Sequence, residues 1–374
     1  MKKSLSLIFL CFSFNVAFTS SVMASEIIQI AAIFAKTGVA AKNNISNFQG
    51  VIIAVEEINA RGGLLDRPVE IIEIDNKSTP LGSKQAALEA VRLDVTAVIG
   101  ASWSSHSLAM APVLQQAQIP MISNFSTNPA VTKVGDYIFR VCFTDPFQGK
   151  IMAGFARRDL KAQTAVILKN INSNYSLGLA EFFTSAFTQG GGKILWEGEY
   201  KEKSVDFSDL LQEVQALKPD VVFVPGYERD SGFMIKQARG MGIQTVFLGG
   251  DGWGNQMFEY GGATVDNNYY SSHWHPDIPS AANQDLMARY RSKFGPATNN
   301  IPLAYDAVMV LADAVRRAHS LDRKKIRDAL AATQNFQGAT GTISFDENGD
   351  PEDKDAVILK LEKGASVFVK TIRP

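Results

Sequence analysis

The sequence predicts an α/β protein of two domains, each built on a mainly parallel sheet with helices on both faces. Three observations support this fold class. Short apolar runs typical of buried strands alternate with runs that have the three- and four-residue spacing of amphipathic helices. The alternation restarts after Thr144-Asp145-Pro146, so two similar halves are visible. A chain of 374 residues is also longer than one hydrophobic core usually serves.

The first half reads as alternating strands and helices. Strands are predicted over residues 26–34, 69–75, 97–100 and 136–143, with a further short strand at 119–122. Helices are predicted over residues 48–58, 81–94 and 104–118. Gly62-Gly63 can end the first helix, because glycine readily adopts the left-handed cap conformation. In the second helix we expect Leu81, Leu88 and Val91 to face inward.

The second half repeats the pattern and then changes composition. Strands are predicted over residues 164–168, 193–200, 221–225, 245–249 and 269–274. Helices are predicted over residues 147–159, 176–189 and 207–217, with another ending at 241 and three more at 281–294, 303–319 and 322–332. Two hairpins are predicted to close the chain, one over 341–345 with its turn at 346–350 and one over 356–371.

The N-terminus has the pattern of a secretory signal peptide. Lys2 and Lys3 precede an apolar stretch over residues 5–18, and small residues surround the expected cleavage point after Ala24. No later run approaches the ~20 apolar residues that a membrane span needs. We therefore expect an exported, soluble mature chain.

Charge and cysteine content narrow the function classes. The chain has 37 Lys and Arg against 38 Asp and Glu and lacks a basic stripe, which argues against nucleic-acid binding. Signal-peptide removal would leave Cys142 as the one cysteine, in an apolar context typical of a buried, inert thiol.

Two hydroxyl-rich loops follow neighbouring predicted strands, at residues 101–107 and 123–129. The first loop opens a helix, whose free N–H groups and positive dipole end would point to the carboxyl edge of the sheet. We expect Ser104 or Ser105 to cap that helix. Taken singly, each loop reads as ordinary caps and turns. Side by side at one sheet edge, they predict a site for a small anion, and we expect a carboxylate.

Six short motifs occur in a fixed order along the chain. They are Asn59-Ala60-Arg61-Gly62-Gly63, Val98-Ile99-Gly100, Ile122-Ser123 with Thr127-Asn128-Pro129, Phe139-Arg140, Gln237-Ala238-Arg239 and Phe247-Leu248-Gly249-Gly250-Asp251-Gly252. Together they resemble the periplasmic solute-binding proteins of branched-chain amino-acid ABC transporters. The resemblance implies two Rossmann-like lobes joined by three crossovers, residues 25–143 plus 275–346 and residues 144–274 plus 347–374. It also implies a monomer that delivers a ligand to membrane permease subunits.

The same resemblance implies the residues that hold an amino-acid ligand. Ser104 would bind the ligand carboxylate through its hydroxyl and backbone N–H. Phe125 would offer backbone groups, and Thr127 its hydroxyl and N–H. Asp251 falls on the acidic residue that pairs with the ligand's α-ammonium group, which agrees with the need of a desolvated charge for a partner.

Four aromatic and amide positions concern the ligand side chain. Tyr175 and Tyr227 fall on two tyrosines of the family, although both also read as core aromatics. Asn43 stands where branched-chain binders have an aromatic wall, and Trp103 stands where they have a small residue. We therefore expect a small, polar or flat aromatic ligand in place of leucine.

Two other patterns compete with this interpretation. Ser102, Asp251 and a later histidine follow the chain order of an α/β-hydrolase triad, but that turn needs glycine where Ser104 stands. His273 and His275 could share a strand face, yet no acidic or Cys partner lies nearby in sequence, so a strand-end pair without metal is expected. The favoured function is a non-enzymatic binder of an amino acid or small carboxylate, without cofactor or metal. The alternatives are a binder of an aromatic carboxylate, amide or urea-type solute and, from another class, a secreted serine hydrolase.

Overall fold

The structure is a computed structural model that describes residues 27–278, 280–295 and 301–373. The segment that the sequence predicts as a signal peptide, residues 1–24, lies outside the described residues. The strands are β1 (Ile28–Phe34), β2 (Val69–Asp75), β3 (Ala97–Gly100), β4 (Met121–Ser123), β5 (Ile138–Arg140), β6 (Thr164–Asn170), β7 (Lys193–Tyr200), β8 (Val221–Phe223), β9 (Val246–Gly249), β10 (Asn268–Ser272), β11 (Phe336–Gly338), β12 (Gly341–Ile343), β13 (Ala356–Glu362) and β14 (Ala365–Ile372). The helices are α1 (Ala41–Ala60), α2 (Pro80–Arg92), α3 (Ser104–Gln116), α4 (Asp145–Arg158), α5 (Asn174–Gln189), α6 (Ser208–Leu217), α7 (Glu228–Gly240), α8 (Met257–Gly261), α9 (Ala281–Phe294), α10 (Ile301–Ala318) and α11 (Arg323–Ala331).

Two sheets confirm the predicted α/β fold class. The first has five parallel strands in the order β2-β1-β3-β4-β5. The second has seven strands in the order β14-β13-β10-β9-β8-β6-β7, in which β13 and β14 join an otherwise parallel sheet in antiparallel fashion. We call the first sheet with α1–α3 and α9–α11 the first lobe, and the second sheet with α4–α8 the second lobe. The chain passes between the sheets after β5, after β10 and after β12.

The core of the first lobe lies where α1 and α10 pack together against the sheet. The ring of Phe34 meets the ring of Phe48 edge-on, with centroids 5.2 Å apart. A Cβ atom at Gly50 would stand 2.5 Å from the carbonyl oxygen of Ile301, so the absence of a side chain at this position is what allows the two helices to approach. Among the described residues, no helix combines the length and apolar character needed to cross a membrane.

Of the three residues of α2 that we predicted to face inward, Val91 packs against the core, whereas the two leucines do not. Leu81 and Leu88 are 68% and 51% exposed. The buried positions are Ala86, Ala87 and Ala90. Helix α2 packs against α3 and the first sheet, where small side chains permit close approach. The prediction relied on the largest apolar side chains of α2 and was therefore wrong for the two leucines.

The first predicted hairpin is confirmed only in part, as one antiparallel bridge between Phe345 and Pro351 across the predicted turn, whereas the second is confirmed as a full ladder. Strand β12 pairs backward with β11 and not forward across residues 346–350. In that segment the Asp346 carboxylate accepts the backbone N–H groups of Asn348 and Asp350 at 2.8 and 2.9 Å. The backbone N–H of Glu352 donates to the carbonyl of Ser344 at 2.8 Å, so the two sides of the turn pair over a short stretch only. Strands β13 and β14 pair as expected on either side of Lys363-Gly364.

Cys142 is fully buried beside the first passage between the sheets. Its Sγ atom lies 3.4 Å from the carbonyl oxygen of Ser126. Burial raises the pKa of its thiol far above the usual range, even though the nearby Arg140 guanidinium acts in the opposite direction. The thiol is therefore in the protonated, unreactive form that its sequence context predicts.

Candidate functional site

One cleft lies between the lobes and is lined by loops that follow six strands. The loops after β1, β3 and β4, with the starts of α1 and α3, form its first-lobe wall. The loops after β6, β8 and β9, with the starts of α5 and α7, form its second-lobe wall. The free volume is about 740 Å³ when the open mouth is included. Because ligands of parallel α/β sheets bind beyond the carboxyl ends of the strands, this cleft is the candidate site.

Seven of the eight residues that we singled out from the sequence line this cleft. They are Asn43, Trp103, Ser104, Phe125, Tyr175, Tyr227 and Asp251. Thr127 is fully buried behind it, and its carbonyl accepts the backbone N–H of Asp145 at 2.9 Å. Burial raises the pKa of the Asp145 carboxyl well above its usual range, and the neighbouring Thr127 hydroxyl partly offsets this rise.

Helix α3 begins without a side-chain cap, so the predicted capping role of Ser104 or Ser105 is wrong. The Ser104 hydroxyl instead accepts the backbone N–H of Asn128 at 3.2 Å. The Ser105 hydroxyl accepts the backbone N–H of Asn174, which belongs to the second lobe, at 3.0 Å. Both hydroxyls bind backbone N–H groups elsewhere in the chain, so the first N–H groups of α3 have no side-chain cap. Such a helix end favours an anionic group nearby.

Among the described residues, the Ser102 hydroxyl has no basic partner of the kind that a nucleophilic serine needs. Its hydroxyl donates to the Asn124 Oδ1 atom at 3.2 Å and accepts from the Asn47 Nδ2 atom at 2.8 Å. A further bond of 2.9 Å joins the two asparagine side chains. The ring of amide contacts gives Ser102 a structural role and provides no support for the serine hydrolase alternative.

Aromatic rings cross the cleft from one lobe to the other. The rings of Trp103 and Tyr227 are stacked with centroids 3.9 Å apart and planes 10° apart. Tyr227 also stacks on Tyr175, at 5.5 Å. The Tyr175 hydroxyl accepts the backbone N–H of Gly252 at 3.1 Å, which fixes the ring against the loop that carries Asp251. Trp103 therefore occupies part of the space between the lobes, as its size predicts.

Asp251 is paired with a histidine that sequence reasoning set aside. The Asp251 Oδ2 atom lies 2.8 Å from the His273 Nε2 atom, and both side chains are almost fully buried. His273 stacks on Phe143 at 3.6 Å and meets Phe125 edge-on at 5.0 Å. Burial lowers the pKa of His273, although the bond to Asp251 acts in the opposite direction. The neutral ring can donate from Nε2, while among the described residues the Asp251 Oδ1 atom has no hydrogen-bond partner.

The sequence held a signal for this pair. Asp251 follows β9 and His273 follows β10, and these strands are parallel neighbours. The reasoning that brought the two serine loops to one sheet edge applies equally to these two side chains. His275 lies apart, 3.4 Å from Asp277. Within the described ranges, no three His, Cys, Asp or Glu side chains form a group that could hold a metal ion.

Glu228 is a second acidic residue in the cleft that sequence reasoning missed. It is only 8% exposed and begins α7, directly after Tyr227. Its Oε2 atom accepts a hydrogen bond from the Asn43 side chain across the cleft. Burial raises the pKa of Glu228 to about 7, against the opposing effects of Asn43 and the backbone N–H of Gln256.

This chain is similar in sequence and structure to several known proteins. A family model described as periplasmic binding protein matches residues 27–365. The leucine-binding protein of Thermotoga maritima is similar in structure, with a TM-score of 0.90 and 35% identity over 93% of this chain and 99% of that chain. The branched-chain amino-acid transporter substrate-binding protein of Streptococcus pneumoniae, in complex with isoleucine, gives 0.88 and 30% over 93% and 100%. The Leu/Ile/Val-binding protein homolog 1 of Brucella abortus is 30% identical over 324 residues, 85% of each chain. The motifs, the two sheets and the cleft between them agree with these matches, and the chain belongs to the periplasmic binding protein family.

Proposed function

We propose that this protein is the extracytoplasmic solute-binding component of an ABC importer and that it binds an amino acid between its lobes. Its relatives support this proposal, because they are named as leucine-binding or branched-chain amino-acid-binding proteins. The protein carries out no chemistry of its own in this role. It holds a solute for membrane permease subunits.

The observation that carries the proposal is the opposite character of the two cleft walls. The uncapped N-terminus of α3 and the Ser104 hydroxyl suit the carboxylate of a zwitterion. On the facing wall, Asp251 keeps an oxygen without a partner in the described part of the chain. The described residues that line the cleft include no Lys or Arg. A buried carboxylate needs a compensating charge, and a ligand ammonium group would supply it.

Contacts between the lobes support a closing motion around the ligand. Lys42 and Glu259 form an ion pair across the cleft. The Ser105 hydroxyl and the backbone of Asn174 form a second contact. Ligand groups that touch both walls would favour this closed arrangement over an open one.

We also propose that the chain passes from one lobe to the other at 143/144, 274/275 and 346/347. Cys142 packs in the first-lobe core and Ala356 in the second-lobe core. Phe143 and Trp274, at the first two boundaries, pack into the core of the opposite lobe, which anchors the chain at these two passages. We also propose export to the periplasm with cleavage after Ala24, which sequencing the N-terminus of the mature protein tests.

A second candidate ligand is a flat aromatic carboxylate. The stacked rings of Trp103 and Tyr227 favour it, because a third ring could extend the stack. The carboxylates of Asp251 and Glu228 oppose an anion that brings no ammonium group.

Calorimetric titration with the standard amino acids, their deaminated acids and benzoate tests the proposal. We expect at least one amino acid to bind, and its deaminated acid to bind far more weakly. Equal binding of the two would contradict an ammonium site at Asp251. Binding of benzoate alone would establish the second candidate.

A further inference from the structure

One end of the cleft, where Asn43 and Glu228 meet, is polar. Asn43 donates to Glu228 on the facing wall, and the backbone N–H of Gln256 also lies against the Glu228 carboxyl group. Asn44, Asn255 and Gln256 line the same cleft. An aliphatic side chain would desolvate these groups and return no hydrogen bonds, which is unfavourable.

Two amide side chains in this cleft each lack one hydrogen-bond partner: one lacks an acceptor and the other lacks a donor. The Asn44 side chain is only 2% exposed, and its Oδ1 atom accepts the backbone N–H of Ala35 at 3.2 Å. That contact fixes the orientation of the amide, so its Nδ2 atom is the free donor, and no described residue accepts from it. The Gln256 Oε1 atom is a buried acceptor for which the described residues offer no donor. One donor and one acceptor are thus left for a ligand to satisfy.

Glu228 fits the same kind of ligand. Its oxygens add to the acceptors, and Asn43 already occupies one of them. The surrounding charges of Lys42 and Glu259 oppose each other in their effect on its pKa, which burial raises to about 7. A carboxyl group that is readily neutral favours an uncharged partner over a cationic one.

We propose that this end of the cleft takes a carboxamide, so that the ligand is an amino acid whose side chain ends in an amide. The carboxamide N–H groups donate to Gln256 and Glu228, and its carbonyl accepts from Asn44. This inference rests on the proposed function, because it assumes that the α-carboxylate and α-ammonium groups occupy the rest of the cleft.

Titration of the wild-type protein with near-isosteric ligands tests the inference. Asparagine is compared with leucine and aspartate, and glutamine with methionine, glutamate and lysine. We expect the better amide ligand to bind about tenfold or more tightly than its apolar counterpart, because a site built for hydrogen bonds rejects an analogue without them. Tighter binding of leucine, methionine or lysine would overturn the carboxamide assignment and leave the proposed function intact. Failure of every amino acid to bind would instead remove the proposed function.

Two near-isosteric variants assign the preference to these residues. Glu228→Met and Gln256→Met remove acceptors and keep side-chain length. Each is expected to lower the amide-to-apolar affinity ratio severalfold. Gln256 is only partly buried, so its variant should fold even where Glu228→Met does not. An unchanged ratio in the folded variants would overturn the inference.

Discussion

The two walls of the cleft recognise charge by different means. The first-lobe wall offers dipoles without net charge: serine hydroxyls, asparagine amides and the N-terminus of α3. The second-lobe wall offers the carboxylates of Asp251 and Glu228 beside two tyrosines. Dipoles suit an anion without needing a counter-charge. The described lining of the cleft includes no Lys or Arg, so its buried carboxylates depend on what the ligand brings. The second wall should therefore be the more sensitive to both mutation and pH.

Asp251→Asn tests the charged wall directly and should give the largest effect. Removing one partner of a buried ion pair costs roughly 3–5 kcal/mol. At ~1.4 kcal/mol per tenfold, amino-acid binding should weaken by about 100-fold or more. Calorimetry measures the loss, and the deaminated acid serves as the control because its affinity should barely change. A loss of similar size for both ligands would mean that the substitution damages the cleft in general.

Glu228→Gln tests the same wall through stability in the absence of ligand. The folded-state pKa of about 7 lies above the ordinary value of 4.5, so the stabilising contribution of Glu228 is complete below pH 4.5 and is lost as the pH rises through 7. The wild type should therefore lose about 3 kcal/mol relative to the variant between these limits. Urea unfolding at several pH values measures this difference.

Subtraction of the two stability curves provides the control for that measurement. His106 acts in the opposite direction, because burial lowers its pKa to about 4 and stability then falls as the pH drops below 6.5. The histidine is present in both proteins, so its effect cancels. A difference curve that is flat with pH would show that Glu228 is not the buried acid described above.

Ser104→Ala tests the dipolar wall and should give a smaller effect than Asp251→Asn. A hydrogen bond to a charged group contributes about 1.5–3 kcal/mol, and the N–H groups of α3 would remain in the variant. Calorimetry with the preferred amino acid measures the change, and Thr127→Ala, at a position buried behind this wall, serves as a second variant. Unchanged affinity in both variants would refute a carboxylate site at this wall.

The walls also differ in how far the sequence predicted them. The serine loops could be placed together because each follows a neighbouring strand, and that placement holds. The role of Asp251 came from family resemblance. Its partner His273 was missed although it follows the strand next to β9, so the same reasoning could have found it. The acidic Glu228 was missed because no local spacing links it to its partner Asn43, 185 positions away.

The helices and strands show the same difference: features set by local sequence were predicted, and features set by distant contacts were not. Strands β2, β3 and β7 and helix α9 begin and end at the predicted residues, because apolar pattern and turn residues define them locally. The inward face of α2 and the pairing of β12 depend on neighbours that the local sequence does not reveal. The same holds for the serines at α3, whose hydroxyls are drawn to other loops.

The buried thiol of Cys142 can report how often the folded structure opens. A reagent that modifies thiols can reach this sulfur only when the structure around the first passage between the sheets opens, since the side chain is fully buried in the folded protein. The rate of modification then reports the frequency of that opening. A solute that binds only the folded protein makes this opening by unfolding rarer. It should therefore slow the modification of the thiol in proportion to its occupancy. In an oxidising compartment the same enclosure keeps the chain from cross-linking to a second copy of itself while it is folded.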